Sequence, residues 1–397
     1  MRRWQRWGTG LAALALMVGV SACGSQAANA PSGNSAGGSS GGSGGVIKIG
    51  METGLTGSDA LNGKFERDGA QLAIDQINAK GGVNGKKLTL VVEDDQGTNQ
   101  AGVAAIQKLF SDPDISVVIG SIKSTIVQAT EPYIQRAQIP TLIGGTSPKL
   151  TQAGNPWVFR FRPNDNYASQ VMADWIVHTM KLNKVAIIHD TDDFGSAGDQ
   201  LLKANLQKMG AIVVADEGYQ TSTKDFTPFL EHVANAKPEV VALYMTNAED
   251  AAQLLRQYRQ LGFKMPVVGS PAVASQISIQ LGGSAIDGVY GVQDFSPDAN
   301  DAAKAFAQAW EAKYHEPPDQ HSAWPYDAVN ILAQVMEKYG TSPDQIRQGL
   351  LATHDYHGAE GVYNFDEHGD GLHGYNVVQV KDGKIVEIKY VDLSNPS

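Results

Sequence analysis

Two short stretches set the first chemical question: "GSIKST" at residues 120–125 and "GGTS" at residues 144–147. Each follows an apolar run, "SVVI" and "PTLI", and each leads toward a helical pattern. A strand that turned only for packing would not need so many hydroxyl and glycine residues. Ser124 or Thr125 can donate a hydroxyl, and Gly145 and Thr146 can donate backbone N–H groups with little steric obstruction. The first turn of a helix also leaves N–H groups unpaired and carries partial positive charge, so an anion is favoured there. The chemistry on offer is anion binding by neutral donors. The plainer reading is that Ser124 and Thr146 cap helices and hold nothing.

Catalytic chemistry finds no comparable foothold. "GGVNGKKL" is a turn between helix and strand, not a GxGxxG after a strand, and no GxxxxGK[ST], G-x-S-x-G or HExxH is present. The histidines of "HDYH" and "DEHGDGLHG" match no zinc spacing and have no cysteine beside them. The reading is therefore not an enzyme, with no cofactor and no metal.

The elements that must position these residues alternate. "VIKIGM" reads as a buried strand, and residues 64–80 read as a helix stopped by Gly81 and Gly82. "KLTLVVEDD", a helix over 103–110, "SVVIG", a helix through Ile134 and "PTLIG" continue the rhythm. After "WVFRFRPND" it restarts: a helix over 168–180, "KVAIIHD", a helix over 201–209, "AIVVAD", "PEVVALYM", a helix over 248–261 and "PVVGS". Strands spaced by helices predict parallel, doubly wound sheets, and two such blocks predict two α/β lobes. Helices over 302–314, 323–339 and 343–352 then lead to "GVYNFD" and a ribbon turning at "KDGK". These last segments cannot form a parallel domain alone, so they complete the two lobes and the chain crosses between lobes more than once.

Composition bounds the partners. The 397 residues suffice for two cores, and a net charge of −11 disfavours nucleic acid and anionic lipid as main partners. The N-terminus has Arg2, Arg3 and Arg6, then an apolar run over 11–20, then "VSAC", which reads as an export signal. "VSAC" resembles the bacterial lipobox, which implies lipidation of Cys23, the only cysteine of the chain. Residues 1–22 are then a lipoprotein signal peptide, and the Gly/Ser-rich residues 23–45 a disordered tether to the outer face of a cell membrane.

A whole-chain resemblance makes this specific. "GLTGSDALNGKFERDGAQLAIDQINAKGGVNGKKLTLVVEDDQGTNQAGV", "IPTLIGGTSP", "AIIHDTDDFG", "QLLRQYRQLGF" and "VVGSPAVAS" are similar, in order and spacing, to the branched-chain amino-acid-binding protein family, the solute-binding components of ABC importers. The similarity spans residues 46–391. It implies a type I periplasmic-binding fold with a three-crossover hinge: lobe I from 46–164 and 294–372, lobe II from 165–293 and 373–397. It also implies a monomer that delivers a small ligand to an ABC permease in the membrane. Ser124, Gly144, Gly145 and Thr146 align with the family's holders of the ligand α-carboxylate.

Other aligned positions depart from the amino-acid binders. Pro271 stands where the family commonly places the glutamate that meets the ligand ammonium; Asn62 and Asn247 each replace an aromatic, and Phe194 keeps one. An ammonium buried without a counter-charge costs several kcal/mol, so the resemblance implies a carboxylate ligand other than a standard amino acid, unless Asp192, Asp193 or Asp294 supplies the charge. A hydroxy or keto acid, an aromatic acid or an amino-acid-like compound fits. The same fold also serves ligand-sensing receptors, and a sensor of a small amide or amino-acid-like compound acting through a separate signalling partner is the alternative.

Overall fold

The computed structural model of the protein describes residues 45–394. The export signal, Cys23 and the tether up to residue 44 lie outside the described residues. No described helix is long and apolar enough to cross a membrane.

The first lobe is built by strict alternation: β1 Val46–Thr53, α1 Ala60–Ala79, β2 Lys87–Asp94, α2 Asn99–Phe110, β3 Ile115–Ile119, α3 Ser124–Ala137, β4 Thr141–Ile143, α4 Lys149–Gln152 and β5 Val158–Arg160. Its strands are all parallel, in the order β2-β1-β3-β4-β5. Ile47, Ile49 and Met51 alternate into one face of β1 and pack with Ala70, Ala73 and Ile74 of α1. Gly81 and Gly82 end the helix at φ 111° and 78°, a backbone few side chains accept.

The second lobe repeats the scheme: α5 Asp165–Asp174, β6 Lys184–Asp190, α6 Asp193–Lys208, β7 Ile212–Tyr219, α7 Thr227–Asn235, β8 Val240–Tyr244, α8 Ala248–Gln260, β9 Val267–Gly269, α9 Gln276–Gly282 and β10 Tyr290–Gln293. The helix predicted over 168–180 divides: α5 gives way to a wider turn at Trp175–Thr179, closed by the Met180 N–H donating to the Trp175 carbonyl at 2.9 Å.

The chain then returns to the first lobe as α10 Asp301–Tyr314, α11 Gln320–Tyr339, α12 Pro343–Leu351 and the small hairpin β11 Tyr356–His357 with β12 Val362–Tyr363. Finally β13 Gly374–Lys381 and β14 Lys384–Asp392 join the second sheet antiparallel, giving the order β14-β13-β10-β9-β8-β6-β7. The architecture is the type I periplasmic-binding fold, two parallel-sheet α/β lobes, with this antiparallel ribbon on one edge.

Three connections cross between lobes: residues 161–164, 294–300 and 364–373. They are tied to one another. Arg162 of the first donates from Nε and Nη2 to the two carboxyl oxygens of Asp294 of the second. Asp370 of the third accepts from Arg160 at 2.9 and 3.0 Å and from Asn164 at 3.1 Å. All of these groups are buried, so breaking one pair strands a charge in the interior.

Candidate functional site

Between the lobes, the carboxyl ends of β1, β3 and β4 face those of β6, β8 and β9 across a cavity with about 440 Å³ of empty space including its mouth. That places it beyond the strand ends of open α/β sheets, where such sheets hold ligands. Beyond β1 come Asp59 and, in the first turn of α1, Asn62; beyond β3 come Ile122, Lys123 and Ser124, the first residue of α3; beyond β4 comes Thr146. The second lobe supplies Phe194 after β6, Thr246 and Asn247 after β8, and Pro271 and Ala272 after β9. Arg162 and the start of α11, with Gln320 and His321, complete the wall.

Six residues singled out in the sequence therefore meet here: Asn62, Ser124, Thr146, Phe194, Asn247 and Pro271. Thr125, Gly144 and Gly145 are not among the lining residues. Thr125 sits one helical step, about 100°, around α3 from Ser124. A Cβ on Gly144 would lie 3.0 Å from the Trp324 ring, and one on Gly145 would lie 2.8 Å from Leu150. These glycines let the loop backbone pass close to Trp324 and Ser124.

The donors near the cavity are idle. The N-cap of α3, Lys123, makes no capping bond, and the Ser124, Thr125 and Ile126 amides have no acceptor among the described residues. The Gly145 and Thr146 amides have none either. Ser124 Oγ accepts from the Ser147 amide at 3.2 Å, which leaves its proton free. The carbonyl oxygens of Asn62, Asn247 and Gln320 are also buried without a donor among the described residues. So many unfilled polar groups around one void argue for a polar ligand.

Charged groups in the wall come as neutral pairs. Lys123 Nζ lies 2.7 Å from Asp59. Burial works against the charge on Lys123, but Asp59, Asp192 and Asp95 outweigh it and raise its pKa. Arg162 is held by Asp294, and His321 by Asp319, whose charge overcomes burial and raises the imidazole pKa. Behind this wall Glu66 accepts from Thr53 Oγ1 at 2.6 Å, and burial pushes its pKa up to about 7. Phe194 stacks at a tilt on Tyr244, ring centres 5.1 Å apart, and so presents a supported ring.

The carboxylates named as substitutes for the missing glutamate are otherwise engaged. Asp294 serves Arg162; Asp192 accepts from Thr246 Oγ1 at 2.9 Å and from the Gly195 amide at 2.8 Å; Asp193 reaches Lys149 at 3.4 Å on the exposed rim. Sequence reasoning missed Asp59, Lys123, Arg162, Thr246, Gln320 and His321. Asp59 and Lys123 follow β1 and β3, so the strand-end rule that pointed to Ser124 also reaches them.

The lobes touch around the cavity. Asp319, at the start of α11, accepts from the Gln276 amide at the start of α9 at 2.6 Å. Phe65 and Leu72 of α1 pack in one cluster with Ala248 and Ile277 of the second lobe.

Comparison with known proteins agrees with this geometry. Residues 46–384 match the family described as periplasmic binding protein. The chain belongs to that family. This periplasmic binding protein is an extracytoplasmic binding protein, not an enzyme. It is 30% identical over 329 residues to the leucine-specific-binding protein of Salmonella typhimurium, covering 82% of this chain and 88% of the relative, which places it among the branched-chain amino-acid-binding proteins. The structure of a branched-chain amino acid transporter substrate-binding protein from Streptococcus pneumoniae, in complex with isoleucine, superposes with a TM-score of 0.81 at 24% identity, covering 87% of this chain and 99% of the other. A solute-binding protein of an ABC transporter from R. palustris, in complex with benzoate, gives 0.82 at 20% identity, covering 88% and 97%.

Proposed function

We propose that the protein is the solute-binding component of an ABC importer, anchored outside the cell membrane by lipid on Cys23, and that it captures a small carboxylate-bearing ligand between its lobes. The observation that carries the ligand class is the set of unengaged donors at one end of the cavity: the uncapped start of α3 with Ser124, and the amide of Thr146. The relatives support it, because leucine, isoleucine and benzoate share a carboxylate and little else.

The opposite wall supports a ligand without a required α-amino group. Pro271 offers neither charge nor donor there, and the one carboxylate in the lining, Asp59, is already neutralised by Lys123. The amide-rich wall of Asn62, Asn247 and Gln320 suits a hydroxyl, carbonyl or amide, and Phe194 offers a ring face to an aromatic acid. The protein performs no chemistry; its work is to favour the closed form with ligand inside.

Calorimetry with matched ligands tests this: an acid, its primary amide and the corresponding α-amino acid. The acid should bind and the amide should not, with the amino acid no tighter than the acid. Tight binding of leucine or valine with the deaminated acid ignored would overturn the reading.

A further inference from the structure

Three side chains able to ligate a metal converge in the second lobe: His189 of β6, Asp199 of α6 and Asp216 of β7. One donor atom from each lies within 4.8 Å of the other two. None of the three lines the cavity between the lobes. No spacing motif joins positions 189, 199 and 216; a strand, a helix and a second strand bring them together.

The imidazole is set up as a ligand. His189 Nδ1 lies 2.8 Å from the Asp190 carbonyl, which can only accept, so Nδ1 carries the proton and the neutral ring holds its lone pair at Nε2. Nε2 faces Asp216 Oδ1 at 3.7 Å and Asp199 Oδ2 at 3.8 Å, too far for a hydrogen bond. Three acceptors thus face one another. Four-coordinate zinc with bonds of about 2.0–2.1 Å sets its ligand atoms about 3.4 Å apart, so these gaps need close by only a few tenths of an ångström. Gly218 of β7 pairs with His189, and a Cβ there would lie 3.3 Å from Nε2, so the glycine keeps space open beside the ring nitrogen.

Lys203 marks the place as one for a cation. Its Nζ sits 2.6 Å from Asp199 Oδ2 and 2.6 Å from Asp216 Oδ2, a single ammonium shared by two carboxylates. The second oxygen of each acid is left over: Asp216 Oδ1 is turned to the imidazole, and Oδ1 of Asp199, a residue 4% exposed, has no hydrogen-bond partner among the described residues. A divalent ion supplies the second positive charge and bonds the nitrogen lone pair as well. The place is reachable from solvent. The side chains of Lys203 and Asp216 are 30% and 35% exposed, so the lysine can swing outward and leave room.

We propose that His189 Nε2, Asp199 and Asp216 bind a divalent metal ion of the zinc type, which takes the place of the Lys203 ammonium, with water completing its coordination on the exposed side of Asp216. One imidazole nitrogen and two carboxylates suit zinc, whereas calcium wants 6–8 oxygens and magnesium an octahedron of oxygens. The ion fastens α6 to both β6 and β7. Because α6 also carries Phe194 of the ligand cavity, the ion steadies the helix that presents that ring.

The experiment is calorimetry on the untagged full chain, freed of metal by chelation and titrated with Zn²⁺, with Mg²⁺ as the control. One Zn²⁺ per chain is expected, with a higher melting temperature at saturation, and no binding of Mg²⁺. His189→Ala should weaken zinc about tenfold or more, and Asp216→Asn, a surface change that spares the core, should do the same. Lys203→Met should tighten zinc several-fold by removing the competing ammonium. Ser124→Ala should leave it unchanged. Absence of saturable zinc binding at millimolar concentration overturns the proposal and leaves His189 in an ordinary ion network with Lys203. So does binding that persists in both His189→Ala and Asp216→Asn, which would put the zinc on other histidines, and so does an unchanged affinity in Lys203→Met.

Discussion

At the scale of single residues, Ser124 has two tasks, since its oxygen accepts the Ser147 amide while its proton stays free for the cavity. Losing a hydrogen bond to a charged group typically costs about 1.5–3 kcal/mol, roughly tenfold or more in affinity. Ser124→Ala is therefore expected to weaken an acid ligand by that order in a calorimetric titration, and to leave binding of its uncharged analogues nearly as poor as before. Pro271 makes the converse case. Its carbonyl accepts from Gln293, and this backbone contact survives substitution. Pro271→Glu adds a carboxylate to a wall whose one acid is already paired, so acid binding should fall and preference should move toward α-amino acids. An unchanged ligand order would show that position 271 does not meet the ligand.

At the scale of elements, α11 carries the site's Gln320 and His321 on a helix packed tightly against α1. The approach depends on Gly69, where a Cβ would lie 2.1 Å from the Ser322 carbonyl oxygen. Gly69→Ala must push α11 away, and overpacking of this kind costs about 1–3 kcal/mol. A lower melting temperature together with weaker ligand binding is expected, because the displaced turn includes site residues; weaker binding without any loss of stability would refute this account. Such elements were readable in advance. Alternating apolar runs, glycine stops and the "KDGK" turn mark local backbone choices, and local chemistry is what a sequence displays. Ser124 and Thr146 were legible for the same reason, since a strand-end rule needs only neighbours in the chain. Arg162 and Gln320 were not. The partner of Arg162 lies 132 positions away, and Gln320 reaches the cavity only because the chain crosses back to the first lobe.

At the scale of the whole molecule, buried acids set the response to pH. Burial raises Glu66 to about 7 and Asp95, Asp165, Asp190 and Asp327 to about 6. A carboxyl raised in the folded state holds a proton that the unfolded chain releases above about pH 4, so stability falls as pH rises from there toward 7. The raised His321 adds the same sign, its contribution being lost as pH rises past about 6.5. Glu66→Gln keeps an acceptor for Thr53 without the titration. It should stabilise the protein at pH 7.5 by about 2–3 kcal/mol and flatten the fall in melting temperature between pH 5 and 7.5; an unaltered slope would rule Glu66 out as a source. Closure depends on a different acid. Asp319 caps α11 through the His321 amide and, across the cleft, accepts from the Gln276 amide of the second lobe, so one carboxylate holds a site helix and fastens the lobes. Asp319→Asn retains a helix cap but loses the charge behind the cross-cleft bond. Apparent affinity scales with the fraction of molecules able to close, so a loss of the order of a charge-assisted bond should weaken an acid ligand roughly tenfold. The loss should appear as faster dissociation, and small-angle scattering should show a larger radius of gyration at subsaturating ligand than in the parent protein. Equal radii with equal dissociation rates would show that the lobes stay together without this contact, and that the Phe65 and Ile277 cluster alone keeps them closed.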